Sequence, residues 1–597
     1  MADKVLKAAF KIGLPTVSFV AHTNLNVLHN KVSCESSAFA GVSHEQKGSK
    51  SEYQPSTEGG DKRNKLRSPT KLQTQMTSIG RFSLQSETIL NPSIPTFFVT
   101  LVKKGKSQTG DDSDNLLLPK KGMNASDIQR LFVDRDIFTK HPRFQSRVSL
   151  NSDSHFEPSS LDLNTYIKDV LHFSSYRSEL EHRIATFLTE PIDTCNKLWE
   201  AHVSSGPIGS SGALSKSVVM NHNPNDTETV VLFRSHHVLA DGMSLGFALS
   251  DLSDEGAAIR EMVINELKRR GKAKSRQSFL RKFLGLFRFF YYWVWGGMKA
   301  FSYHSYLLMM SPQNPFTLIM VKNKKDNAGS SDDVNITVER SVSWCQAAKV
   351  SDVKYIASKV CPTATINDVF VSCASYAIGK QLEQHQNTSS GGISNDDKSK
   401  DRKIALPSHV NVVMPVHLYG GVILPGQSMG NRIGAMVARV PSSPVHKPNE
   451  HNISSTASER LSEVSRNISF VKKSPIAHLS WITAKFCSDY LPAPLVKYLM
   501  RNANANAAFV LSNVRGNTKK VHWNGHTVEN AIGFLPLPPG IPVGIVVQSY
   551  AGQLSISISA DKKAVPDADL FLKWMLDEYF RLSVEAAALS TSDAKCL

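Results

Sequence analysis

Two adjacent histidines, an aspartate and a glycine, arranged as His236-His237-Val-Leu-Ala-Asp241-Gly242, are the residues of this chain best suited to chemistry. An imidazole has an unperturbed pKa of about 6.5, so a histidine held at a strand end can take and return a proton near neutral pH. The run before the pair, Thr229-Val-Val-Leu-Phe-Arg-Ser235, is β-branched and apolar and predicts a buried strand that delivers it. Asp241 sits on a short tether from His237, where it can fix the local turn or hold an arginine. Gly242 allows a positive φ or a close backbone approach. The same stretch holds a competing pattern, because Gly242-Met-Ser-Leu-Gly246 is a literal G-x-S-x-G. That would make Ser244 the nucleophile of a serine lipase or esterase. Such an elbow needs its strand to run straight into the first glycine, and here His236 to Asp241 intervene.

The H-H-x-x-x-D-G pattern resembles the catalytic motif of the CoA-dependent acyltransferase superfamily, in the double-histidine form of the wax ester synthase/diacylglycerol acyltransferase family. Other segments resemble plant-type members in the same order. They are His141-Pro-Arg-Phe-Gln-Ser146, Leu161-Asp-Leu163, Pro191 to Glu200, Asn367-Asp-Val369, Gly430-Asn-Arg-Ile-Gly434, Ser512-Asn-Val-Arg-Gly516, and Ser549-Tyr-Ala-Gly552 followed by Asp561. Two positions depart from the pattern: Cys195-Asn-Lys197 stands where a second proline is expected, and Arg515 stands where proline is usual. The resemblance runs from about Arg81 to about Leu582. It implies a mixed α/β (α+β) fold of two chloramphenicol-acetyltransferase-like domains with the active-site tunnel at their interface.

The activity it implies is transfer of a fatty acyl group from acyl-CoA to a long-chain alcohol or to diacylglycerol, giving wax esters or triacylglycerol. A thioester is already activated, so no covalent nucleophile is required, and one histidine can serve both proton steps. His237 is the expected general base and His236 supports the geometry or borders the channel, while Asp241 and Gly242 shape the loop. Asn367 is the first candidate oxyanion donor and Asn513 the second. Asn513, Ser512 and Asn431 are the candidate substrate-binding residues. Acyl-CoA enters as co-substrate, with no cofactor and no metal. A catalytically silent lipid-binding relative is the alternative from a different class.

The elements that must position these residues fall into a leader and two domains. Residues 1–80 read as a disordered leader, with a weak resemblance at Ser37 to Gly41 to an algal plastid-targeting cleavage site. An N-terminal domain (81–260) carries the histidine motif. It predicts a strand over 95–102, a helix over 125–134 and a helix near 166–172. The segment 261–335 is first basic and then aromatic and apolar (Phe283 to Met298), the composition of a helix lying in a membrane interface. A helix joining two domains, with its aromatics buried, is the competing assignment. A C-terminal domain (336–582) follows, with a disordered insertion at 381–403 and a tail at 583–597. Within it Thr365 or Asn367 caps a helix, strands are expected over 410–416 and 509–516, and 544–561 reads as a hairpin.

Bulk properties bound the partners. At 597 residues two domains are the prior. The formal charge of +17 favours an anionic membrane surface or a phosphorylated co-substrate such as coenzyme A. No zinc-finger, recognition-helix or RNA-binding aromatic pattern is present, so nucleic acid is not an expected partner. The seven cysteines are scattered without C-x-x-C pairs, which fits a reducing compartment. The expected location is the cytosolic face of the endoplasmic reticulum membrane or a lipid droplet, with the plastid ranked lower.

Overall fold

The computed structural model describes residues 75–104, 122–150, 152–170, 176–223, 225–275, 279–310, 314–316, 338–390, 407–418, 429–443 and 456–595. The leader lies outside these residues as far as 74, as do residues 105–121 and 317–337.

The run read as the delivering strand forms β6 (Thr227–Ser235), which is buried on both faces and therefore shows no polar alternation. It is central in a six-stranded sheet with β1 (Thr96–Lys103), β4 (Ile167–Asp169), β5 (Trp199–Pro207), β11 (His522–Trp523) and β12 (His526–Phe534), in the order β11-β12-β1-β6-β5-β4. On one face Trp199 stacks between Phe132 and Phe233, with ring centroids 5.3 Å away in each case. Its indole N–H, which would be costly to leave unpaired, donates to the Phe144 carbonyl at 2.9 Å. Phe132 comes from α1 (Ala125–Asp134), whose start is set by a capping box between Asn124 and Asp127. On the other face Phe98, Val230 and Leu232 pack with Leu180, Ile184 and Phe187 of α2 (Arg177–Thr189).

The second sheet has the order β7-β14-β13-β10-β8-β9, built from β7 (Arg340–Lys349), β8 (His409–His417), β9 (Ile433–Pro441), β10 (Ala507–Arg515), β13 (Val543–Tyr550) and β14 (Gln553–Asp561). Its core is closed by α5 (Val350–Val360), α6 (Ile366–Ser390), α7 (Ala457–Lys472) and α8 (Ala568–Lys595). A two-stranded pair, β2 (Ser146–Ser149) and β3 (Ser152–Pro158), stands apart.

Several boundaries differ from the sequence reading. The hairpin β11–β12 belongs by sequence to the C-terminal half, yet β12 pairs antiparallel with β1 in the first sheet. It is locked there by Tyr550, whose hydroxyl donates to Val528 O at 2.9 Å and accepts from Val521 N at 3.0 Å. The helix expected near 166–172 is one turn, Leu163–Tyr166, followed by β4, because Ile167 to Asp169 pair parallel with β5. Residues 381–390 continue α6: Gln381 and Leu382 are buried, and the His385 ring bonds the Ala564 carbonyl. The rest of that insertion lies outside the described residues. The tail is helical to Lys595, and Glu585 within it accepts the Ala457 and Ser458 N–H groups that open α7.

Candidate active site

The site forms where the loop after β6 meets the second sheet. Strands β8 and β10 pair in parallel only from Asn411/Ala507 to Val413/Val510. Beyond that point β8 runs on to His417 beside β9, while β10 runs on to Arg515 beside β13, so the two strands diverge. The histidine loop and the helix after it, α3 (Gly242–Leu249), lie at this divergence. Asp241 reaches His417 at the end of β8, and α3 packs against β10.

The two histidines have different surroundings. The His236 side chain is buried, its Nε2 lies 2.9 Å from Glu87 Oε2, and its Nδ1 accepts the Val238 N–H at 3.1 Å. An Nδ1 that accepts carries no proton, so Nε2–H donates to the carboxylate and neither nitrogen is left for substrate. His237 is packed round closely but keeps exposed surface. Its main chain is gripped from both sides, the N–H by Ser93 O at 2.7 Å and the carbonyl by Asn431 Nδ2 at 2.7 Å. Its buried Nδ1 meets no partner of ordinary hydrogen-bond geometry. Burial pushes its pKa below the ordinary histidine value, against the upward pull of the Asp241 charge. This shift favours the neutral ring, the form that can accept a proton.

Asp241 serves the fold of the loop. Its Oδ1 caps α3 by accepting the Ser244 N–H at 2.8 Å, and its Oδ2 accepts the Arg432 N–H at 2.9 Å. Of the two options read from sequence, turn-fixing is the one seen: among the described residues the partners are main-chain amides and His417, at 3.3 Å. Burial would raise this carboxyl's pKa, but the His417 contact and the two amides outweigh it and hold it below the usual range.

Gly242 corrects the expectation placed on it. It opens α3 without a positive φ, and a Cβ there would meet nothing within 4 Å. Ser244 is buried in the first turn of α3 with helical backbone, which is not the strained strand-to-helix turn of a nucleophile elbow.

The remaining candidates divide. Asn431 is brought to the site, but as the amide that holds the His237 carbonyl, and it is itself buried. Asn367 is the second residue of α6, so Thr365 occupies the cap position. The Asn367 amide lies 3.4 Å from Met414 Sδ in the helix-covered core of the second sheet. Asn513 is exposed and Ser512 half-buried on the diverging end of β10. Among the described residues no hydrogen bond joins Asn367, Asn513 or Ser512 to His237, and no group of His, Cys, Asp or Glu could hold a metal ion. Sequence reasoning missed Glu87, Ser93 and His417. Only His417, at the end of an expected strand, carried a local signal.

Residues 429–582 match the family model described as the WS/DGAT C-terminal domain. "Wax ester synthase/diacylglycerol acyltransferase 5" of Arabidopsis thaliana is 22% identical over 451 residues, covering 72% of this chain and 82% of the relative. Number 6 of the same series is 22% identical over 497 residues, covering 77% and 87%. The chain is similar to the wax ester synthase/diacylglycerol acyltransferase family along most of its length. The solved "Wax ester synthase/diacylglycerol acyltransferase from Marinobacter aquaeolei VT8" aligns at a TM-score of 0.49 and 13% identity, covering 86% of this chain and all of that one. The matched residues include Asn431 and Arg432, just before β9, and β10, all of which meet the histidine loop or the helix after it. The mixed α/β architecture expected from the resemblance is the one observed, and the named relatives are acyltransferases.

Proposed function

We propose that the chain transfers a fatty acyl group from acyl-CoA to a long-chain alcohol, to diacylglycerol or to both, with His237 as general base. The observation that carries this reading is the asymmetry of the histidine pair. His236 has both ring nitrogens engaged and is buried, whereas His237 keeps part of its surface exposed and is braced through its main chain. In the reaction the acceptor hydroxyl gives its proton to the His237 ring as its oxygen attacks the thioester carbonyl. The tetrahedral intermediate then collapses, the C–S bond breaks, and the imidazolium returns the proton to the departing CoA thiolate.

The acceptors are membrane-dissolved, and the surface offers a means of meeting them. Helix α4 (Gly256–Ser275) carries Lys268 and Arg269, and the helix that follows, Phe279–Met310, is rich in aromatic residues. That second helix is anchored along one side by the Tyr292 hydroxyl donating to Ser474 O at 2.7 Å. Its other side exposes Phe283, Phe287, Phe290, Trp295 and Phe301, which supports the interfacial reading of this segment over a buried linker. No helix among the described residues is long and apolar enough to cross a membrane. An aromatic face beside basic residues suits a helix lying in the headgroup region of a membrane or lipid droplet.

The test is incubation of purified protein with labelled palmitoyl-CoA and, separately, hexadecanol or diacylglycerol, with products resolved by thin-layer chromatography. Labelled wax ester or triacylglycerol supports the reading, and absence of both from a folded protein overturns it.

A further inference from the structure

We infer that Glu87, far from the histidine motif in sequence, is a positioning residue for the reaction, acting through His236 on His237. This rests on the acyl-transfer reading above. The geometry is a closed set of bonds. Glu87 Oε2 accepts both His236 Nε2–H at 2.9 Å and the Ser93 N–H at 3.1 Å. The carbonyl of the same Ser93 accepts the His237 N–H at 2.7 Å. On the far side of the imidazole, His236 Nδ1 accepts the Val238 N–H at 3.1 Å, and the His236 carbonyl accepts the Leu239 N–H at 3.0 Å. His237 therefore occupies a turn whose two flanking peptides are fixed by the His236 ring and the Ser93 carbonyl, and Glu87 holds both.

The tautomer follows from this arrangement. With Val238 donating to Nδ1, the proton of His236 must sit on Nε2, and an acceptor is required opposite it. Glu87 is the acceptor present. Burial opposes its ionisation, but the His236 bond outweighs that and its pKa lies below the ordinary glutamate value. Without the carboxylate, the buried Nε2–H would lose its partner and the ring could turn, releasing the Val238 N–H. The main chain of His237 would then be held from Ser93 and Asn431 alone.

The segment carrying Glu87 is itself tied to the second sheet's half of the molecule. The helix before it, Ser78–Ser86, packs on the helices Ile476–Tyr490 and Ala493–Asn504. The loop after it is held by Arg340 Nη2, which donates to Leu90 O at 3.2 Å and Asn91 Oδ1 at 2.6 Å. Glu87 thus presents a fixed acceptor to the histidine turn.

Three variants separate geometry from charge and from folding. Glu87→Gln keeps an oxygen in reach of both donors and loses the charge. Glu87→Asp keeps the charge and withdraws it by one methylene. Glu87→Ala removes both. Misplacement of a reacting group by about 1 Å costs on the order of 10²-fold in rate. Glu87→Ala and Glu87→Asp should therefore lose about 10²-fold in kcat with KM for palmitoyl-CoA unchanged, while Glu87→Gln stays within about threefold of wild type. Thermal unfolding of each variant controls for loss of fold, and the Asp/Gln comparison stands if the alanine variant does not fold. Wild-type kcat in Glu87→Asp, or equal losses in Gln and Asp, would overturn the inference. Inactive wild-type protein would instead overturn the acyl-transfer reading on which it rests.

Discussion

Replacing Asp241 by alanine asks whether this carboxylate braces the loop or takes part in the reaction. Its oxygens accept the Ser244 and Arg432 N–H groups at 2.8 and 2.9 Å, with His417 at 3.3 Å. Loss of an N-cap acceptor costs about 1 kcal/mol. Leaving a second, part-buried N–H without its acceptor costs about 1–3 kcal/mol more. The variant should therefore be roughly 3 kcal/mol less stable. Unfolding entropy of about 2.1 cal/mol/K per residue over Pro69–Leu597 gives roughly 1 kcal/mol/K, so Tm should fall by about 3 °C. The pH dependence has a definite sign. A carboxyl whose folded pKa is depressed contributes stability above its unfolded value of about 3.9 and loses it as pH falls through the folded one. The Tm gap between wild type and Asp241→Ala should thus hold steady from about pH 8 to about pH 5 and close below about pH 4. Scanning calorimetry across that range, with kcat measured in parallel, reads both quantities. An Asp241→Ala protein with wild-type Tm and abolished kcat would refute the bracing role.

Two further outcomes follow from the same geometry. Because burial depresses the His237 pKa, the acid limb of kcat/KM should lie below the ordinary histidine value of about 6.5. A limb at or above that value contradicts the desolvated base. Phe287→Glu with Phe290→Glu should cut cosedimentation with anionic phospholipid vesicles by about tenfold or more, since burying each ring contributes about 1.5–3 kcal/mol. These side chains are 67% and 65% exposed, so Tm should not move. Unchanged vesicle binding would rule this face out as the docking surface.

What the sequence revealed and what it hid divide along the range of the interactions. The strand before His236 and the helix from Ala125 to Asp134 are legible because their signals are local: a β-branched run, and a capping residue three positions before its partner. The hairpin His522–Phe534 is not, because its pairing with β1 joins residues more than four hundred positions apart, and nothing in its own alternation says which sheet it will join. Glu87 was hidden for the same reason: its partner is 149 residues away, and a glutamate in a short polar lead-in carries no spacing pattern. Asn431 was recognised as belonging to the site, but a motif does not say which way an amide points. The structure turns it to the His237 carbonyl instead of toward a substrate. Gly242 was read for backbone freedom that its helical position does not use.

The measurement that bears most directly on the central claim is product formation from palmitoyl-CoA and hexadecanol or diacylglycerol by His237→Ala beside wild type, at matched Tm. Removing a general base costs about 10²–10⁴-fold, so labelled ester should fall by at least the lower figure while the protein stays folded. Turnover near the wild-type rate in folded His237→Ala would contradict the assignment of that imidazole as the base.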